Sequence, residues 1–139
     1  MEAATLTYDE ISIGDVFSFE RRITEKDVLQ FATLTGDFNP LHVDKEFGRQ
    51  SQFGQNVVHG LLAASLFSTL VGMYCAGRRS LYVSQTLRFR RPIFYDTLLV
   101  ARAKVVKKND SIQLITLTTE ILIDSKIVAI DGEAQVKVI

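Results

Sequence analysis

Asp37 and His42 stand five positions apart in the run Thr35-Gly36-Asp37-Phe38-Asn39-Pro40-Leu41-His42, with turn-forming residues between them. Where such a turn enters a helix, a carboxylate and an imidazole can converge on one small volume. Together they could hold a water molecule and move its protons, because an imidazole gives or takes a proton near neutral pH while the acid orients the water or supplies the second transfer group. The residues allow a plainer reading: Asp37 capping the helix that follows, and His42 a packed or surface side chain.

Val58-His59-Gly60 heads an uncharged stretch from Val57 to Ala76. A glycine in the first turn of a helix permits close approach, and its N–H lacks an intrahelical acceptor. Such a donor could stabilise an oxyanion on a carbonyl; the alternative is a glycine kept for packing. Ser65 and Ser68, one and two turns on, could point hydroxyls at the same volume or bond back to helix carbonyls. Asp37, His42, Asp44 and His59 are nominal metal ligands, but no HExxH, Cys/His set or calcium loop accompanies them. No phosphate-binding glycine loop and no nucleophile elbow is present, so neither a metal nor a cofactor is expected.

The elements that must position these residues follow from periodicity. Val16 to Ile23 alternates as a strand with one buried face. Thr24 with Asp27 three residues on matches a capping box and opens a helix carrying Val28, Phe31, Ala32 and Leu34 on one side, closed by Gly36. Pro40 fits the first position of a short helix, with Asn39 before it held out of the α region. Asp44 to Phe53 reads as a short helix and loop, followed by a long helix from near Val58 to about Gly77. Four strands then follow, expected at Ser80–Arg91, Thr97–Val106, Ser111–Asp124 and Val128–Val138, with turns at Lys107–Asp110 and Asp124–Ser125. Short connections predict an antiparallel meander, and the simplest packing curls it around the long helix in an α+β layout. The third strand is apolar on both faces (Ile115, Leu117, Ile121 and Ile123 against Ile112, Leu114 and Leu122), which predicts contact with a second subunit and a homodimer.

The chain has 139 residues, enough for one domain over 1–139 with a real core. Sixteen basic residues balance sixteen acidic ones, and the basic pairs are scattered, so no phosphate-binding stripe for nucleic acid is expected. A single cysteine, Cys75, excludes an internal disulfide and fits a reducing compartment; with no signal peptide visible at the N-terminus, a cytoplasmic protein is expected. The Val57–Ala76 stretch has the length of a membrane span, but its His, Ser, Thr and Gly residues favour a buried helix in a soluble domain.

The run Phe31 to His42, with Val58-His59-Gly60-Leu61-Leu62, Ala64-Ser65-Leu66-Phe67-Ser68, Tyr82 to Phe89 and Gly132-Glu133-Ala134, resembles the hydratase 2, or MaoC-like, family. The resemblance covers essentially the whole chain and looks closest to the short hydratases that feed polyhydroxyalkanoate synthesis. It implies a hot-dog fold, an antiparallel sheet wrapped around one helix, and (R)-specific hydration of a trans-2-enoyl-CoA or acyl-carrier-protein thioester. It also implies that Asp37 and His42 hold the catalytic water and that the Gly60 N–H binds the thioester oxygen. Ser68 would lie near the acid, and Asn39 would shape the turn or brace His42 beside the substrate. Gly48 stands where the family often has Ala or Ser, which predicts an altered loop beside the acyl tunnel. A hot-dog thioesterase and a non-catalytic acyl-thioester-binding subunit are the alternatives.

Overall fold

The computed structural model describes residues 1–139. Strand β1 (Val16–Arg22) turns Phe17 and Phe19 inward and its polar residues out, as its alternation requires. Helix α1 (Glu25–Thr35) opens on the capping box: Thr24 Oγ1 accepts from the Asp27 N–H at 3.2 Å, and Asp27 Oδ2 accepts from the Thr24 N–H at 2.9 Å. The second bond holds the Asp27 carboxyl below the usual carboxylate range. The helix stops at Gly36, whose φ of 83° is left-handed and whose N–H closes on the Ala32 carbonyl. Val28 and Ala32 are buried, but Leu34 is 84% exposed and does not share their face.

Helix α2 (Pro40–Val43) carries His42 and is capped by Asn39, whose Oδ1 accepts from the Leu41 N–H at 3.0 Å. Asp44 caps α3 (Lys45–Gln50) in the same manner. The expected single long helix is shorter and interrupted. It comprises α4 (Gly60–Ala64), α5 (Leu66–Thr69) and a π turn, Leu70–Tyr74, closed by a bond from the Cys75 N–H to the Leu70 carbonyl. The break falls at Ser65, whose hydroxyl donates to the Leu62 carbonyl at 2.6 Å and competes with the helix ladder. No helix is long and apolar enough to cross a membrane.

After a connecting turn come β2 (Ser80–Gln85), β3 (Arg88–Phe89), β4 (Leu98–Asn109), β5 (Leu114–Ile123) and β6 (Ile127–Val138). The sheet order is β1-β4-β5-β6-β2, antiparallel throughout, with β3 also paired to β6. The last three strands form the expected meander, but β2 sits on the far side of β6 rather than beside β4. The expected strand Ser80–Arg91 is split, and β4 runs past the turn expected at Lys107 by taking a bulge between Val105 and Lys107. Segment 90–97 crosses from one side of the sheet to the other and meets the segment leading into α4: Val57 bridges Phe94, and the Val58 N–H donates to the Ile93 carbonyl at 2.8 Å.

Phe67, Leu70 and Val71 of the central helix are buried against Leu99, Val105, Leu117, Ile121, Ile130 and Val136 of the sheet. Burial of each such side chain contributes roughly 1.5–3 kcal/mol, which fixes the rotation of the helix and leaves Leu61, Ser65, Ser68 and Thr69 on an outer stripe. The second apolar face of β5 is not left open as expected. β5 lies at the centre of the sheet and Leu122 is 5% exposed within one chain, while Ile112 belongs to the turn before the strand. Exposed apolar residues on strands include Leu81 and Val83 of the edge strand β2 and Phe89 of β3, besides Val16, Val106 and Ile127 on β1, β4 and β6.

Candidate active site

The turn between α1 and α2 exists because Gly36 ends one helix and Pro40 begins the next. Asp37 sits at its start, and its Oδ1 accepts from the Asn39 N–H at 3.1 Å. His42, one turn into α2, brings its Nδ1 to 2.8 Å from the Val57 carbonyl. A carbonyl oxygen can only accept, so Nδ1 carries the proton and Nε2 keeps a lone pair. That lone pair is what a water proton needs. Tyr95, from the crossing segment, donates its hydroxyl to the backbone carbonyl of His42, and burial pushes its phenol above the usual range.

His59 completes the cluster from the opposite side. It is 2% exposed, and its Nε2 lies 3.0 Å from the Asp37 backbone carbonyl and 3.8 Å from Asp37 Oδ2. The same acceptor argument puts its proton on Nε2. Its Nδ1 is buried without a partner, and an N–H there would be an orphaned buried donor, the costlier tautomer. The His59 ring packs against His42 at 4.0 Å between centroids and against Phe31 at 4.8 Å.

The structure therefore brings Asp37, His42 and His59 together, offering side-chain atoms within 4.8 Å of one another. Asp44, considered with them as a ligand, is not in the group because its carboxylate caps α3. His42 and Gly60 share the wall of a cavity of about 470 Å³, otherwise lined mainly by Phe53, Val57, Val58, Phe89, Ile93 and Ile130, with Arg90 and Arg91 also on its surface. The Gly60 N–H has no protein acceptor. A Cβ at Gly60 would lie 2.7 Å from the Phe89 ring, so the glycine keeps this corner open. An apolar cavity of this size with a few convergent polar groups is what a small-molecule site requires.

Three sequence-selected residues fall elsewhere. Asn39 spends its side-chain oxygen on the Leu41 N–H and so shapes the turn without facing the cavity. Ser68 lies on the exposed stripe of the helix, neither lining the cavity nor bonded to Asp37 or His42 within one chain. Gly48 is buried against Asn56 and not on the cavity wall. The sequence offers His59 only as a metal ligand and does not single out Asn56 or Tyr95. The signal for His59 was its place beside Gly60; nothing local marks the other two.

Cys75 is no nucleophile. It is fully buried, and loss of hydration pushes its thiol up to about 11. Native protein should resist a thiol-specific alkylating reagent, and one thiol should react after denaturation; labelling of the native chain at the denatured rate would contradict this burial.

The sequence profile described as MaoC like domain matches residues 10–126. This chain belongs to the MaoC-like family. It is 36% identical to the (R)-specific enoyl-CoA hydratase of Aeromonas caviae over 132 residues, covering 95% of this chain and 98% of that one. The solved (R)-hydratase from A. caviae superposes with a TM-score of 0.90, covering 93% of this chain and 98% of that chain. The 3-hydroxybutyryl-CoA dehydratase of Methylorubrum extorquens is 31% identical, with 99% of this chain and 87% of that protein covered. The R-hydratase PhaJ1 of Pseudomonas aeruginosa matches with a TM-score of 0.92 at 28% identity, covering 96% of this chain and 86% of that one. The hot-dog architecture expected of a MaoC-like chain is the one observed.

Proposed function

We propose that this MaoC-like chain is a hydro-lyase that adds water reversibly to trans-2-enoyl-CoA, giving the (R)-3-hydroxyacyl-CoA. The observation that carries the reading is the convergence of Asp37 with a His42 whose Nε2 is free, beside an apolar cavity. The thioester carbonyl sits at the Gly60 N–H and the acyl chain in the cavity. A water held by Asp37 and His42 gives one proton to the pair as its oxygen bonds to C3. The C2–C3 π electrons move toward the thioester oxygen, where Gly60 stabilises the charge. As that electron pair returns, C2 takes one proton back from the pair, so the enzyme ends as it began.

The names of the relatives support an acyl thioester substrate, carried on coenzyme A in some and on acyl-carrier protein in others. The solved A. caviae hydratase is described as involved in PHA biosynthesis, and supply of (R)-3-hydroxyacyl units to that polymer is the use we assign here. We take residues 1–139 as one catalytic domain acting in a reducing, cytoplasmic setting, and we propose a homodimer. The support for a dimer is the unpaired edge of β2 with exposed Leu81 and Val83, and the exposed helix stripe that includes Ser68.

Incubation with crotonyl-CoA tests the reaction. The conjugated enoyl absorbance should fall without release of thiol, and chiral analysis should find the (R)-alcohol. Thiol release would make the protein a thioesterase; neither change, across acyl chains from C4 to C12, would make it a binding subunit.

A further inference from the structure

We propose that Asn56 is a positioning residue for His42, and that Gly48 is a glycine because it admits Asn56. The proposal rests on reading His42 as the proton-transfer group. Helix α2 is a four-residue helix whose carbonyls have few intrahelical partners. Asn56, 6% exposed, answers them: its Nδ2 lies 2.8 Å from the Asp44 carbonyl, 2.9 Å from that of Leu41 and 3.3 Å from that of Pro40. Oxygens that can only accept require the NH₂ side of the amide here. The next residue, Val57, donates its N–H to the Leu41 carbonyl and offers its own carbonyl to His42 Nδ1. Asn56 thus holds the two strands of a clamp together: the helix that carries His42, and the carbonyl that sets its tautomer.

Gly48 explains how the amide reaches that position. A Cβ at residue 48 would lie 2.5 Å from Asn56 Nδ2 and 2.6 Å from the Asn56 backbone nitrogen. The backbone atom cannot rotate away as a side chain could, so even alanine must push Asn56 off the carbonyls. The Gly48 N–H meanwhile donates to the Asp44 carbonyl that also receives Asn56.

Two measurements test this on the full chain. In ¹⁵N-imidazole NMR, with only His42 and His59 to assign, wild type should show His42 as the Nδ1–H form. Asn56→Ala and Gly48→Ala should each admit the Nε2–H form. That readout stands whether or not the protein hydrates enoyl thioesters. In the hydration assay each variant should lose on the order of 10- to 100-fold in kcat, with KM within about twofold and a displaced pH profile. The double variant should lose less than the product of the two single losses, because both changes act on the Asn56 clamp, although a Cβ at 48 still meets the backbone nitrogen of residue 56. An unchanged His42 tautomer in both folded single variants would overturn the proposal, as would additive losses in the double variant. A wild type with the Nδ1–H form but no hydratase activity would leave the clamp standing and remove the catalytic reading.

Discussion

Asp37→Asn should lose about 10²- to 10⁴-fold in kcat with little change in stability. The reason is that the substituted amide keeps an oxygen for the Asn39 N–H, the bond that now anchors the side chain, so the turn persists while the charge and the proton-transfer capacity go. His42 permits a sharper dissection. His42→Ala removes both ring nitrogens and leaves the Val57 carbonyl without its donor. His42→Asn can still place an N–H where Nδ1 was, preserving the bond to Val57, but has nothing at the position of Nε2. Both variants should be inactive to a similar degree, on the order of 10² or more below wild type. Full activity in His42→Asn would mean that the Val57 anchor, and not Nε2, is what the reaction needs. The double variant Asp37→Asn, His42→Ala should be little worse than the poorer single, since groups that hold one water act as a unit. Single-turnover rates with crotonyl-CoA, alongside unfolding curves, separate these outcomes from loss of folded protein.

The local grammar of the site was legible in the sequence. Thr24 with Asp27, Gly36, and Asn39 before Pro40 are signals whose physics acts within a few residues, and each does at its position what its type implies. The long-range partners were not. Val57 O, Tyr95 and Asn56 reach the turn from 15, 53 and up to 16 positions away, and no periodicity encodes such contacts. The same distinction explains the fold. The strands were readable from alternation, but the placing of β2 beyond β6 depends on the crossing segment after Pro92, which alternation does not describe. The break at Ser65 was signalled by a hydroxyl in a helix, yet whether it bonds back or outward is decided by tertiary surroundings. Alternation places Leu122 on the second face of β5, but it does not say that this face is covered there within one chain, where Leu122 is 5% exposed.

His59 should prove to be the residue through which Asp37 is held, and its replacement the most costly change near the site for folding and catalysis together. His59→Ala deletes a buried ring packed between Phe31 and His42 and leaves the Asp37 carbonyl without its donor. A cavity and an unpaired acceptor together should cost roughly 2–5 kcal/mol, and the folded fraction should turn over at least about tenfold more slowly because the carboxylate has lost its support. His59→Leu fills much of the space but cannot donate, whereas His59→Gln can offer an N–H toward the same carbonyl. If positioning is the role, stability should recover partly in both, while kcat recovers only in the glutamine variant. Equal activity in leucine and glutamine variants would reduce His59 to core packing. The grouping of Asp37, His42 and His59 within 4.8 Å sets one more outcome against this account. Prolonged chelation of wild type should leave hydration unchanged. Loss of activity restored by a divalent cation would make His59 a ligand, and the water between Asp37 and His42 would then belong to a metal.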